Sequence, residues 1–234
     1  MKGKLITFEG IDGSGKATQT RLLLDRLMSL DIPVTKIDFP RHGEMPAWFV
    51  DEYLNGRFGK ADEVKPKVAS LFYACDRYDA SFDMKDNLNK GVWIVGDRYV
   101  GSNVGHQGSK FETKEERKEF IRWLFELEYG LLELPRPDLT IILKTPARAS
   151  GQRTLIQVDE EKIKRRDSYL KDKNQDIHEE DVSHLERARQ AYIDAAELFP
   201  DDFTILDCME GDKMLGPNTI HDKVWEIIKD RFNL

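Results

Sequence analysis

A chain of 234 residues suits one large globular unit with a substantial core, and 34% charged against 40% apolar residues excludes a disordered or fibrous composition. The formal net charge of -7 excludes the overall basic excess of a general nucleic-acid binder but not a local basic pocket for a small anion. Cys75 and Cys208 have no metal-ligand spacing and make no disulfide framework, so both read as reduced thiols in the core.

The start, MKGKLITFEG, carries no apolar signal region, and no apolar run approaches the roughly 20 residues that cross a bilayer. A cytoplasmic protein with no membrane partner is the expectation. KLITF (4–8) predicts a strand, followed by a Gly-rich loop and a helix over 18–30 with apolar residues at helical spacing. VTKIDF (34–39) predicts a second strand, ending at Pro40. Residues 64–89 predict a long helix that stops at Lys90-Gly91, and VWIVG (92–96) a buried strand. Residues 113–132 predict an amphipathic helix, with Thr113 as N-cap and Glu116 three positions later completing a capping box. LTIIL (139–143) predicts a strand, and Pro146 opens a short helix. FTILD (203–207) predicts the last strand and IHDKVWEIIKDRF (220–232) the closing helix. Between them, residues 160–181 are highly charged without apolar period, the pattern of a solvated helix or loop and a fitting place for a lid.

Strands alternating with helices predict an α/β fold in three layers, with a mainly parallel five-stranded sheet covered on both faces. Ligands bind such sheets at the carboxyl ends of the strands. The informative residues gather there: 9–18 after the first strand, 38–43 after the second and 97–108 after the third.

FEGIDGSGKATQ (8–19) fits G-x-x-x-x-G-K-S/T except at its last position, where Ala17 stands in place of a hydroxyl. Glycines let backbone N–H groups converge on a phosphate, and the following helix adds its positive end. Lys16 supplies a point charge for the outer phosphates. The candidate phosphate-binding set is therefore Gly10, Ile11, Asp12, Gly13, Ser14, Gly15, Lys16, Ala17 and Thr18. Thr18 does not simply replace the missing hydroxyl, because one step along a helix turns a side chain by about 100°. Asp97, after the third strand, is a candidate for holding Mg²⁺ through water. Arg98 beside it, and Arg41 in DFPRHG, are candidate phosphate clamps. Tyr73 and Arg77, four apart on one helical face, suit stacking on a base and bonding its edge.

Taken in order, FEGIDGSGKATQ, FPRHG, LFYACDR, DRYVGSNVGHQG, LPRPDLTIIL and DIHEED followed by LERARQAY resemble the thymidylate kinases, of the nucleoside monophosphate kinase branch of P-loop proteins. The resemblance runs from about 5 to 210. It implies a single P-loop domain over 1–234, with a lid insertion at about 154–181. The implied reaction moves the γ-phosphate of ATP to dTMP with Mg²⁺, giving dTDP and ADP, in a homodimer. It also implies roles for individual residues. Lys16 and the loop hold ATP, and Asp12 meets the dTMP sugar hydroxyl. Arg41 and Arg98 grip the dTMP phosphate, while Asp97 organises Mg²⁺ and the acceptor. Tyr73 stacks on thymine, with Phe72 the alternative if the register differs by one, and Arg77 meets the base edge. Asn103 and Gln107, with Ser102, lie near the base and sugar. The family places a catalytic Arg in the phosphate loop or in the lid. Gly13 occupies the loop position, which leaves Arg153, Arg165 and Arg166.

Two departures from the family pattern stand out. Ala17 replaces Ser or Thr, and Lys144 stands where an acidic residue usually follows the fourth strand. Two alternatives stay open on the residues: a kinase for another acceptor such as dUMP, dCMP or thymidine, and a nucleotide-binding homologue without turnover.

Overall fold

The computed structural model describes residues 2–60, 62–147 and 182–234. The predicted lid at about 154–181, with Arg153, Arg165 and Arg166, lies outside the described residues, as does most of the short helix predicted at Pro146.

Five parallel strands form the sheet: β1 (Leu5–Glu9), β2 (Val34–Asp38), β3 (Trp93–Asp97), β4 (Leu139–Lys144) and β5 (Thr204–Asp207), in the order β2-β3-β1-β4-β5. All five residues of the central strand β1 are buried. A parallel strand covered on both faces has no solvent side, so its polar members Thr7 and Glu9 are hydrogen-bonded inside, Thr7 to Thr140 at 3.1 Å and Glu9 to the Tyr99 N–H at 2.7 Å. Successive side chains still go to opposite faces. Ile6 and Phe8 join Leu23 and Leu27 of α1 (Lys16–Ser29) and Val224 and Ile228 of α7 (Pro217–Phe232). Leu5 joins the opposite core with Tyr99, Phe120 and Tyr192.

That second core is built by α3 (Pro66–Asn89), α4 (Val100–His106), α5 (Lys114–Phe125) and α6 (Val182–Leu198). A short helix, α2 (Trp48–Leu54), follows a 3₁₀ turn over Met45–Ala47 and packs on α3. A small antiparallel hairpin, β6 (Met209–Glu210) and β7 (Lys213–Met214), leads into α7. Among the described residues, no helix is long and apolar enough to cross a membrane.

The capping box is present: the Thr113 hydroxyl accepts the Glu116 N–H at 3.2 Å, and the Glu116 carboxylate accepts the Thr113 N–H at 3.0 Å. The helix predicted over 113–132 is regular only to Phe125, and Glu126–Leu131 forms a π-helical turn. The wider turn carries Glu128 inward to a buried ion pair that periodicity does not show. The Gly-rich stretch after β3, for which no element was predicted, forms α4. Two of its glycines are demanded by packing: a Cβ on Gly105 would enter the Tyr192 ring, and one on Gly101 would meet Glu9 Cγ at 2.8 Å.

Candidate active site

The phosphate loop leaves β1 with its glycines in the left-handed region: Gly10 at φ 136°, Gly13 at 75° and Gly15 at 97°. Gly10 is required twice over, because a Cβ there would also lie 2.8 Å from both Leu143 O and Ser14 Oγ. Lys16 folds back across the loop, donating from Nζ to the Gly10 and Ile11 carbonyls at 2.9 Å each. No side chain caps α1, and its first turn holds no acidic residue. Its N-terminal N–H groups and positive end therefore face the loop, the arrangement that receives phosphate. Gln19 donates to Pro217 O at 2.9 Å and ties α1 to α7.

Ala17 is exposed, Thr18 half-buried. The nearby hydroxyls of Ser14 and Thr20 are fully buried and have no hydrogen-bond partner among the described residues. Neither reaches the open face where the missing hydroxyl would stand.

The end of β3 lies against this loop, with Phe8 paired to Asp97. Arg98 takes φ 69°, an uncommon value for a non-glycine residue. It is held there by its N–H on Phe8 O at 3.0 Å. Its Nη2 forms an ion pair with Asp12. Its Nη1 lies 3.4 Å from Ser102 Oγ and 3.2 Å from His106 Nε2. Burial works against the charge of Arg98, but Asp12 first, then Tyr192, Asp97 and Glu9, outweigh it and hold its pKa above the ordinary value.

Glu9 organises the same corner from below. Its carboxylate accepts the Tyr99 N–H and the Ser102 hydroxyl, both at 2.7 Å, and the Tyr192 hydroxyl at 3.2 Å. Burial raises its pKa, opposed by the Ser102 bond and the charges of Arg98 and Lys16. Sequence reasoning did not single out Glu9. The available signal was a carboxylate closing an otherwise apolar strand immediately before the loop.

Arg41 extends from the β2 end onto α3. Asp76 accepts its Nε–H at 2.8 Å and its backbone N–H at 2.9 Å, and Nη2 reaches Asp76 O at 2.9 Å and Asp79 at 2.7 Å. Arg77, on the adjoining face of α3, is buried against Glu128, with Nη1 3.5 Å from Tyr99 O. Asn103 Nδ2 is 3.4 Å from Ser70 O and 3.5 Å from Glu128 Oε1. Gln107 is buried one turn further along.

The two aromatic candidates differ. Phe72 stacks on Phe49 with centroids 5.5 Å apart and packs on Phe58 at 5.1 Å. Tyr73 meets the edge of Tyr53, at 6.4 Å. Tyr73 shares its face of α3 with Arg77, four residues on.

Two groups of predicted residues are thus brought together. Asp12, Lys16, Asp97, Arg98 and Ser102 gather at the β1 and β3 ends. Tyr73, Arg77, Asn103 and Gln107 gather where α3 meets α4. Tyr99 connects them, its N–H on Glu9 at 2.7 Å and its carbonyl 3.5 Å from Arg77 Nη1. Lys144 is turned aside: its Nζ lies 2.8 Å from Asp207 on the neighbouring strand end. Slight burial pushes Asp207 up, but the Lys144 bond and the Met209 N–H outweigh it and hold the carboxyl below its ordinary value.

A glycine loop feeding an uncapped helix from the central strand of a parallel sheet, with a Lys folded over it and Arg–Asp pairs at the next strand end, defines a P-loop nucleotide-handling protein. The thymidylate kinase family model matches residues 8–213, so the chain belongs to the thymidylate kinase family. A thymidylate kinase from Afipia carboxidovorans is 31% identical over 231 residues, covering 98% of this chain and 90% of that protein. One from Nitrobacter hamburgensis is 28% identical over 232 residues, covering 99% and 90%. A solved thymidylate kinase structure from Candida albicans superposes with a TM-score of 0.67 at 23% identity, covering 99% of this chain and 93% of that one, and supports the fold.

Proposed function

We propose that this chain, an enzyme of the thymidylate kinase family, moves the γ-phosphate of ATP to dTMP. A dTMP phosphate oxygen attacks the γ-phosphorus, the bond to the β-phosphate oxygen breaks, and ADP leaves. The observation that carries this reading is the convergence of Lys16 and the Arg98–Asp12 pair at one edge of the sheet. Such transfers depend on positioning and charge stabilisation more than on covalent chemistry. Lys16 and the loop N–H groups hold the donor phosphates. Arg98 and Arg41 hold the acceptor phosphate, Asp12 the sugar, and Tyr73 and Arg77 the base, with Asn103 and Gln107 beside it.

Among the described residues, no group of three or more His, Cys, Asp or Glu side chains is placed to hold a metal. Mg²⁺ commonly keeps several waters and takes oxygens from phosphates with one or two carboxylates. Asp97, 8% exposed at the loop, fits that single role through water. When bound, the ion neutralises charge on the phosphates. A catalytic Arg from a lid at about 154–181, with Arg153, Arg165 and Arg166 as candidates, completes a single P-loop unit.

A homodimer is part of the proposal. The outward side chains of Val68, Leu71, Cys75, Tyr78 and Phe82 on α3 are exposed, so of the two thiols expected in the core only Cys208 is buried. They recur at alternating three- and four-residue steps, the spacing of a seam that packs against another helix. Sedimentation of the purified chain tests this, and a monomer at micromolar concentration rejects it.

The function is tested by ADP release from ATP and Mg²⁺ with dTMP, dUMP, dCMP and thymidine in parallel, with Lys16→Ala as control. Turnover that depends on dTMP and vanishes in Lys16→Ala supports the proposal. Preference for another acceptor moves the substrate, and binding without turnover points to Ala17.

A further inference from the structure

We infer that His106 is a positioning residue for Arg98, a neutral acceptor that fixes the guanidinium without neutralising it. The inference rests on the functional reading above, in which Arg98 grips the acceptor phosphate.

The contact itself dictates the imidazole's form. Arg98 Nη1 and His106 Nε2 are 3.2 Å apart. A guanidinium has only donors, so Nε2 must accept and the proton must sit on Nδ1. The ring is packed where it can keep that pose. His184 stacks beside it at 5.9 Å with planes 27° apart, and Tyr192 meets it edge-on at 6.3 Å, both from α6. The charged groups around Arg98 at this corner are Asp12 of the loop, Glu9 of β1 and Asp97 of β3.

Neutrality is what makes His106 useful. Asp12 already pairs with Nη2. Another carboxylate at position 106 would compete with the incoming phosphate for the same positive charge and repel it. A neutral acceptor orients Nη1 and leaves the charge available. Ser102 acts likewise: its hydroxyl donates to Glu9 at 2.7 Å, which leaves its lone pairs facing Nη1 at 3.4 Å. Orientation matters here because Arg98 sits in an uncommon backbone conformation and swings from the end of a strand, with one ion pair to steer it.

The test uses the full-length chain and two variants. His106→Phe keeps a ring against His184 and Tyr192 and removes the acceptor, whereas His106→Gln keeps an acceptor. The Phe variant is expected to raise KM for dTMP about tenfold, the scale of a lost hydrogen bond to a charged group, with KM for ATP and the melting temperature little changed. The Gln variant is expected to recover most of that loss. Equal changes in both KM values, no change, or a Gln variant no better than Phe would overturn the inference. A readout without substrate keeps the test independent of folding in the variants and of the proposed reaction. In a long-range ¹H–¹⁵N spectrum of the wild-type chain at about pH 8, above the ordinary histidine range, His106 is expected as the Nδ1–H tautomer. An Nε2–H tautomer overturns the inference whatever the kinetics. The Nδ1–H tautomer in a chain without dTMP turnover counts against the functional reading alone.

Discussion

Arg77 and Glu128 form a two-point ion pair sealed from solvent: Nε and Nη2 each lie 2.6 Å from one carboxylate oxygen, and the side chains are 1% and 0% exposed. Burial alone would lower the pKa of Arg77, but Glu128 overrides it and holds it above the ordinary value. The pair joins the middle of α3 to the π-helical turn, so the wall of the proposed base pocket is set by a contact 51 residues apart in sequence.

Glu128→Ala should therefore act on stability first. It leaves a guanidinium buried without its partner, and breaking a buried pair from one side costs about 3–5 kcal/mol. Urea unfolding should show that loss. Replacing both partners with Met and Leu should recover a large part of it, because no lone charge remains. A loss below about 1 kcal/mol in the single variant would mean that water reaches Arg77.

Lys110 gives a prediction in pH. Its Nζ lies 3.2 Å from Tyr53 OH and 3.3 Å from Val64 O. Burial pushes it from 10.5 down to about 8, with Asp62 opposing. A depressed lysine is protonated in the unfolded chain where it is neutral in the folded one. Between about pH 8 and 10.5 the unfolded chain binds more protons, so stability rises with pH across that window. Below it, the charged form costs stability in full. Since Lys110 is only part-buried, the gain is discounted to ~1–2 kcal/mol. The stability of wild type relative to Lys110→Met should climb by that amount from pH 8 to 10.5. A flat difference would show that Lys110 titrates as an ordinary surface lysine.

Much of this architecture was legible because it is local. β1, β3 and β4 announce themselves as short apolar runs, and the loop lies between a strand and a helix as its motif requires. The Thr113–Glu116 box is a three-residue spacing. What escaped the sequence depends on distance or on packing. Nothing near Glu128 in the chain signals Arg77, and a π turn has the composition of the helix it interrupts. The stretch forming α4 carries no helical signal because glycine disfavours helix. Its glycines are there because Tyr192 and Glu9 leave no room for a Cβ. His106 reads as an isolated polar residue until Arg98 is beside it.

The choice between Tyr73 and Phe72 is now a measurement with opposite expectations. Phe72 is wedged among Phe49, Tyr53 and Phe58, so Phe72→Ala should cost about 2–3 kcal/mol of stability through the cavity it leaves. Tyr73 shares its helix face with Arg77, and Tyr73→Ala should raise KM for dTMP much more than KM for ATP. If the KM effect follows Phe72 instead, the base lies one helix position away and the pocket must be reassigned.

Ala17→Ser asks whether the loop has lost a working part. Ala17 is exposed at the first turn of α1, so a serine hydroxyl fits without displacing packed atoms. The hydroxyls of Ser14 and Thr20 are buried and do not substitute for it. Lys144, the other departure, is paired with Asp207 and does not supply a free charge to the phosphates. In the proposed reaction a water would stand in place of the hydroxyl, changing one ligand of the ion while the loop amides, Lys16 and Asp97 would keep their roles. The serine variant should keep or raise turnover, and the Mg²⁺ concentration for half-maximal rate should fall by up to about tenfold, the scale of one hydrogen bond to a charged group. Titrating Mg²⁺ at saturating ATP and dTMP measures it. A large loss of turnover would show that the site is built around alanine, with the serine side chain occupying space that the bound nucleotide needs.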